Sequence, residues 1–297
     1  GFLTGLLYHY FGKDVEAGNN LLLENIQEPK EIIPFKMAPF VYLGTMVTHF
    51  FGGSAGREGT ALQMAGAISD QLTKILKLDK NDRKILLISA VAAGFGSVFG
   101  TPLAGAVFGL EVFLMGRIRY NAIFPAFTSA VLADLVTNLW KAKHTHYHIE
   151  LIPKLEFLPI LHSVLAGILF GICAAVFSRM IHFTGSIFKS NIKYPPFRPV
   201  VGGIIVAVAV FAMGTTRYIG LGIPTIVESF EKQLPLYDFA FKMIFTIVTL
   251  SAGFKGGEVT PLFFIGATLG SALSLFIPLP FGLLAGMGFV AVFAGAT

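Results

Sequence analysis

The sequence predicts an all-α polytopic membrane protein, built from broken helices in two related halves. Three observations carry that prediction. Of 297 residues, 54% are hydrophobic and 13% charged, with a mean hydropathy of +0.73. Such a chain is too apolar to cover a water-soluble surface, and several windows are long enough to cross a bilayer. Second, Pro102, Pro261, Pro278 and Pro280, with glycine clusters beside them, cut long apolar runs into half-length pieces. In hydrocarbon such breaks are tolerated only where protein or a water-filled cavity satisfies the freed backbone groups. Third, the skeleton Gly-x-Glu-x-Thr occurs twice, as GREGT at 56–60 and GGEVT at 256–260.

Apolar segments fall at about 2–11, 36–51, 60–76, 85–98, 102–115, 121–140, 155–183, 199–213, 238–253, 260–277 and 279–297. The chain has room for roughly eight to ten spans of ~20 residues, and several of these segments are too short to span alone. The opening GFLTGLLYHYFG reads as the end of a membrane helix, without a starting Met or a basic leader. Gly18-Asn19-Asn20 precedes the apolar stretch of a further helix start, since asparagine favours an N-cap. The polar intervals KLDKNDRK (77–84) and RIRY (117–120) hold basic residues as the flanks of membrane helices do. The net charge of +5 is therefore spread over helix flanks, which argues for contact with the lipid bilayer and against a nucleic-acid partner. Trp140 ends its segment as an interfacial anchor. Cys173 is the single cysteine and sits inside ILFGICAAVF, so neither a disulfide framework nor a cysteine metal site is expected. The last run, GFVAVFAGAT, stops in apolar sequence, and both termini are expected to belong to a longer parent chain.

Residues 56–67 align over 256–267, matching Gly56/Gly256, Glu58/Glu258, Thr60/Thr260, Leu62/Leu262, Gly66/Gly266 and Ala67/Ala267 at an offset of 200 (258 − 58). GFGSVFG at 94–100 lies over GFVAVFA at 288–294, an offset of 194 (288 − 94). Two matches in the same order predict a duplicated architecture: a first membrane repeat over 1–150, lacking its N-terminal helix, and a second over 151–297, lacking its C-terminal helices. Such halves often run antiparallel in the membrane.

An acidic side chain at the bilayer centre costs about 2.5 to 3.5 kcal/mol on insertion scales, so two of them are functional by default. Each opens an apolar helix, where backbone N–H groups lack intrahelical partners and the dipole is positive. A helix start of this kind holds an anion, either its own carboxylate or a free ion. A carboxylate that competes with a diffusing anion and leaves on protonation couples anion movement to proton movement. Asn19 is either an ordinary helix cap or a third such helix start. Burying an unpaired small anion costs on the order of tens of kcal/mol, so dense donation must replace its water. Asn19 brings two N–H donors and Thr260 one O–H, a set that suits fluoride and that chloride also accepts.

At this point the residues resemble the CLC chloride channels and proton-coupled transporters. GREGT looks like that family's Gly-Lys/Arg-Glu-Gly-Pro motif, AGFGSVFGTPLAGAVFGLE (93–111) is similar to the segment after it, and GGEVTPLF (256–263) takes the place of Gly-x-Phe-x-Pro. The resemblance covers essentially the whole chain. Gly18-Asn19-Asn20-Leu21-Leu22 stands where chloride-type members carry Gly-Ser-Gly-Ile-Pro, and Glu258-Val259-Thr260-Pro261 replaces the phenylalanine signature. Both departures are similar to the fluoride/proton antiporter branch. The resemblance implies Glu58 as moving gate and proton carrier, and Glu258 as second carboxylate. It implies an anion site drawn from Asn19, Gly56, Arg57, Gly59, Val259 and Thr260. It further implies fluoride export against inward protons by a homodimer in the cell membrane, with no cofactor, no metal and no enzymatic step. The alternative on the same scaffold is a chloride channel or chloride/proton exchanger. Many exchangers of the family carry a second glutamate after the position of Glu111; here that residue is Val112, so Glu111 or Glu258 would serve proton access. Glu111 reads equally as an exposed carboxylate at a helix end near Arg117.

Other patterns admit rival readings. GGSAG (52–56) fits Gly-x-Ser-x-Gly, which in a membrane chain points to a serine protease using Ser54 with His162 or His182. A small residue on a loop entering a helix is the expected reading. GLGIP (220–224) imitates the serine motif and reads as a turn between helices. HTHYHIE (144–150) alternates three histidines and reads as a solvated loop.

Overall fold

The computed structural model describes residues 1–112 and 119–297. In order its α-helices are α1 (Phe2–Phe11), α2 (Asn19–Gln27), α3 (Met37–Phe50), α4 (Glu58–Asp70), α5 (Leu72–Ile75), α6 (Lys80–Phe99), α7 (Pro102–Glu111), α8 (Tyr120–Leu139), α9 (Phe157–Asn191), α10 (Arg198–Met213), α11 (Ile223–Glu231), α12 (Tyr237–Ser251), α13 (Val259–Leu273) and α14 (Phe281–Ala296). The expected apolar segments reappear as helices, most with shifted ends, and positions 113–115 of the segment expected over 102–115 lie outside the described residues. The segment expected over 60–76 begins at Glu58, which puts that carboxylate inside α4. The segment expected over 155–183 runs on to Asn191. GLGIP is part turn and part helix: Gly220 and Gly222 have positive φ, and α11 begins at Ile223. Among the described residues, three helical stretches are long and apolar enough to cross a membrane, Tyr120–Leu139, Phe157–Asn191 and Pro195–Met213. Helix α6 is also 20 residues long but opens on the charged stretch Lys80, Asp82, Arg83 and Lys84, and the remaining helices are shorter, as broken helices require.

The chain forms two compact units. One comprises Leu7–Thr45 and Arg57–Thr145. Its centre is α6, capped by Asp79, whose carboxylate accepts from the backbone N–H of Asn81 (2.7 Å) and Asp82 (2.8 Å), the arrangement an N-cap aspartate provides. Small residues let its neighbours approach closely, as in other membrane bundles. A Cβ built on Gly105 of α7 would lie 2.6 Å from Gly96 of α6. Ala122, Ala126 and Ala130 of α8 recur every fourth residue and are wholly buried. The far end of α4 is fastened by charge. Buried Asp70 accepts from Arg83 Nε and Nη2 (both 2.7 Å), from Thr73 Oγ1 (2.9 Å) and from the backbone N–H of Ile33 (2.8 Å). Arg83 also donates to Asn25 Oδ1 (2.9 Å) and to the Glu31 carbonyl (2.8 Å).

The other unit comprises Gly1–Leu6, Met46–Gly56 and His146–Thr297. Here α13 is buried along its whole length. It crosses α14 at glycines: a Cβ on Gly266 would overlap the Gly288 carbonyl, and one on Gly270 the Leu284 carbonyl. The two sequence matches thus make similar pairings in their own units, Gly94 of α6 against Ala61 and Ala65 of α4, and Gly288 of α14 against Gly266 of α13. Helix α12 carries a buried polar face: Asp238, Lys242, Thr246 and Thr249 are each 1% exposed or less. Lys242 donates to the Gly220 (2.7 Å) and Tyr218 (3.2 Å) carbonyls, and its Nζ lies 5.2 Å from the Phe264 ring centre. At one end of this face Asp238 accepts from Tyr218 Oη (2.7 Å) and Arg217 Nη2 (3.0 Å). Arg217 and Lys232 each reach Glu228 at 2.8 Å. These side chains line an open cleft of about 600 Å³.

Candidate functional site

The backbone joins the two copies of the motif. Gly56 N–H donates to the Gly257 carbonyl (2.6 Å), and Gly257 N–H returns a bond to the Gly56 carbonyl (2.7 Å). This is an isolated antiparallel bridge in an otherwise helical fold. The approach to it must be narrow. A Cβ on Gly256 would stand 2.6 Å from Ala55 Cβ, and one on Gly53 would meet Thr48 Cγ2 at 2.5 Å. The segment before the bridge is held from α12: Ser54 Oγ lies 3.0 Å from Thr246 Oγ1, and Ser54 N–H donates to Thr249 Oγ1 (3.2 Å). Gly220 N–H donates to the Gly53 carbonyl (3.0 Å), which ties the turn held by Lys242 to the same segment.

Two residues after Gly56 the chain enters α4. Glu58 is the first residue of that helix and 2% exposed, with Gly59 and Thr60 also buried and Arg57 exposed. Thr60 Oγ1 lies 2.6 Å from Thr45 Oγ1 of α3. In the same unit Gly18 caps α2 at φ +59, a left-handed conformation that glycine adopts without penalty, and Asn19 is the exposed first residue of that helix. A Cβ on Gly18 would sit 3.3 Å from the Gln63 side chain of α4. Asn19 is thus the first residue inside α2 rather than its cap.

On the other motif, Glu258 is the N-cap of α13 and half-buried, while Val259 and Thr260 are buried in its first turn. First-turn N–H groups have no carbonyl one turn back in their own helix, so both starts present the positive end of the helix dipole. Pro261 has no N–H to satisfy, which suits its place in that turn. Glu111 is exposed at the end of α7, and Arg117 lies outside the described residues.

The remaining sequence patterns find structural places. Ser54 is fully buried with its hydroxyl against Thr246, a seat for a small polar residue at a loop entering a helix. Residues 143–150 run irregularly between α8 and α9. Among the described residues no group of three or more His, Cys, Asp or Glu side chains is placed to hold a metal ion. Sequence reading missed the Asp70–Arg83 clamp and buried Lys242. For Lys242 a signal existed, since a lysine inside YDFAFKMIFTIVTLS is an ionisable group in an apolar helix.

Short helices opening beside a backbone bridge, alongside helices of membrane length, define an integral membrane protein of the broken-helix kind. The chain belongs to the voltage gated chloride channel family, the CLC proteins, whose profile matches residues 1–297. It is 52% identical over 302 residues to a chloride/fluoride channel protein of Pseudomonas syringae pv. tomato, covering 100% of this chain and 67% of that protein. It is 28% identical to the H(+)/Cl(-) exchange transporter ClcA of Klebsiella pneumoniae, over 88% of this chain and 57% of the relative. The crystal structure of a CLC-type fluoride/proton antiporter is similar with a TM-score of 0.96 at 33% identity, covering 100% of this chain and 75% of the other.

Proposed function

We propose that the protein is a fluoride/proton antiporter of the cell membrane, which exports fluoride in exchange for protons and works as a homodimer. Glu58 is the gating and proton-carrying carboxylate, and Glu258 the second carboxylate. Asn19, Gly56, Arg57, Gly59, Val259 and Thr260 contribute to the anion path. The observation that carries this reading is the burial of Glu58, 2% exposed, as the first residue of a helix whose dipole favours an anion there. Protonation removes that attraction and frees the helix start for a halide. Similarity to a fluoride/proton antiporter structure and to a chloride/fluoride channel protein supports fluoride as the ion. Chloride/proton exchange is the second reading, favoured by the likeness to ClcA.

The test is flux from liposomes holding the full-length protein, measured in parallel for fluoride, chloride and protons. The expected result is fluoride efflux coupled to proton uptake, with chloride much slower. Glu58→Gln should abolish proton coupling, and Ser54→Ala should keep it. Proton-coupled flux retained in Glu58→Gln would sink the gating role, and faster chloride than fluoride would favour the second reading.

A further inference from the structure

Helix α9 changes character along its length. From Phe157 to Phe177 it holds no Asp, Glu, Lys or Arg, and that stretch spans about 31 Å at 1.5 Å per residue, the thickness of a hydrocarbon core. The stretch from Ser178 to Asn191 holds Arg179, His182, Ser186 and Lys189, and therefore stands at the level of headgroups. A cavity of about 290 Å³ opens there, between α9 and the last turn of α12. His182, Gly185, Ser186 and Lys189 line it from α9, and Leu250 and Ser251 from α12.

The cavity is one-sided in its chemistry. The Ser186 and Ser251 hydroxyls donate to the Phe183 (2.6 Å) and Ile181 (3.1 Å) carbonyls, the second bond tying α12 to α9. Among the described residues neither Lys189 nor His182 makes a hydrogen bond or an ion pair. The lysine ammonium and an imidazole N–H are thus its free donors. No acidic side chain lines the cavity, and the sequence carries none from Phe157 through Val227, while Lys193 and Arg198 follow shortly after α9. Free cationic donors without a carboxylate suit a phosphate oxygen. At headgroup depth the abundant phosphate belongs to lipid, and basic side chains there attract anionic lipid.

The same face of α9 continues toward the bilayer centre as a shallow channel. Gly167, Gly171, Ala175, Ser178 and His182 follow one another at steps of three or four residues, which places them on one side of the helix. Gly167, Gly171 and Ala175 are exposed, and a Cβ built on either glycine meets nothing within 4 Å. Ile168 (55% exposed) and Ile172 (56%) stand beside them as large apolar neighbours.

We propose that this cavity is a site for an anionic phospholipid. Lys189 and His182 hold the phosphate, and one acyl chain lies along Ala175, Gly171 and Gly167. The cationic cavity alone would also accept free phosphate; the apolar channel leading from it into the hydrocarbon favours the lipid. A lipid seated there adds a second link between α9 and α12 beside the Ser251 bond.

The experiment reconstitutes the full-length protein in phosphatidylcholine vesicles holding a trace of phosphatidylglycerol with a photoreactive acyl chain, and maps the crosslinked peptides by mass spectrometry. In wild type the label should fall on the α9 segment 167–187. Unlabelled phosphatidylglycerol should suppress it, and further phosphatidylcholine, whose choline cation offsets the phosphate, should not. Lys189→Gln should lower the labelling about fivefold, one lysine's share of the attraction to anionic lipid. Gly171→Leu projects into open space, so it should fold normally and abolish the labelling by filling the channel. In detergent, phosphatidylglycerol should raise the Tm of wild type more than phosphatidylcholine does, and should lose that advantage in Lys189→Gln. Unchanged labelling in Gly171→Leu or Lys189→Gln, or equal competition by phosphatidylcholine, overturns the proposal. Suppression of the label by inorganic phosphate as complete as by phosphatidylglycerol would make this a free-anion site and overturn the lipid assignment.

Discussion

Gly256→Ala tests the bridge that joins the two motifs. The added methyl would sit 2.6 Å from Ala55 Cβ and 3.1 Å from the Gly56 carbonyl oxygen, where ordinary contacts begin near 3.4 Å. Relief requires the two segments to part by about 0.8 Å, which overstretches the bonds of 2.6 and 2.7 Å between Gly56 and Gly257. Overpacking costs about 1–3 kcal/mol, and two backbone hydrogen bonds contribute about 1 kcal/mol each. The expected loss is about 3–5 kcal/mol, by adding those two terms. Since the obstacle is a single methyl, Ala55→Gly on the same chain should recover most of it. By itself Ala55→Gly should cost about 0.4–1 kcal/mol in chain entropy. The assay is unfolding in mixed detergent micelles, with fluoride flux in liposomes as a second readout. Strictly additive losses in the double variant would refute the close approach, because independent sites add and touching ones do not.

Other outcomes follow from the same contacts. Arg83→Met leaves buried Asp70 with two of its four donors and should cost about 3–5 kcal/mol, whereas Arg83→Met with Asp70→Leu should unfold close to wild type in the same micelles. Asn19→Ala and Thr260→Val should weaken fluoride binding or reduce fluoride preference over chloride, read as a shift in the concentration giving half-maximal flux. The hydrogen bond from Lys232, with Arg217 beside it, holds Glu228 of the short helix α11 below the usual carboxylate range. A carboxylate whose folded value is depressed contributes stability above its unfolded value of about 4.3, and that contribution is lost as pH falls through the folded value. Thermal melts of wild type and Glu228→Gln should therefore differ modestly at neutral pH and converge in acid, since the half-buried site is partly screened by solvent.

Much of this fold is legible in the sequence because hydrocarbon leaves the chain few choices. Apolar runs must be helices, and Pro102 and Pro261 mark where two of them begin. The repeated motif was visible because Gly, Glu and Thr each answer a local demand at a helix start. Long-range geometry was not. Antiparallel pairing of Gly56 with Gly257 has no strand pattern behind it, since one residue on each side is too little for periodicity to register. Helix α11 escaped because IPTIVESFE is short and mixes apolar with polar residues, and Gly222 before it reads equally as turn or cap. The Asp70–Arg83 pair joins residues thirteen apart on different helices, a spacing that no helical repeat connects. Glu58 and Thr260 were singled out by residue type, but their burial is a property of packing.

The repeated skeleton does not give its two carboxylates the same surroundings. Glu58 is inside its helix, follows exposed Arg57, and is 2% exposed. Glu258 stands one step earlier, at the cap of α13, follows Gly257 and is half-buried. A residue within the first turn shares the backbone geometry of the helix, and its side chain can change position while the backbone stays fixed. A cap residue belongs to the turn that precedes the helix, here the turn closed by the Gly56–Gly257 bridge, and its position is set by that bridge. The proposed division of labour, with Glu58 as the moving gate and Glu258 as the second carboxylate, draws on that physical difference. The one-residue difference in where each helix begins gives the two carboxylates different local surroundings.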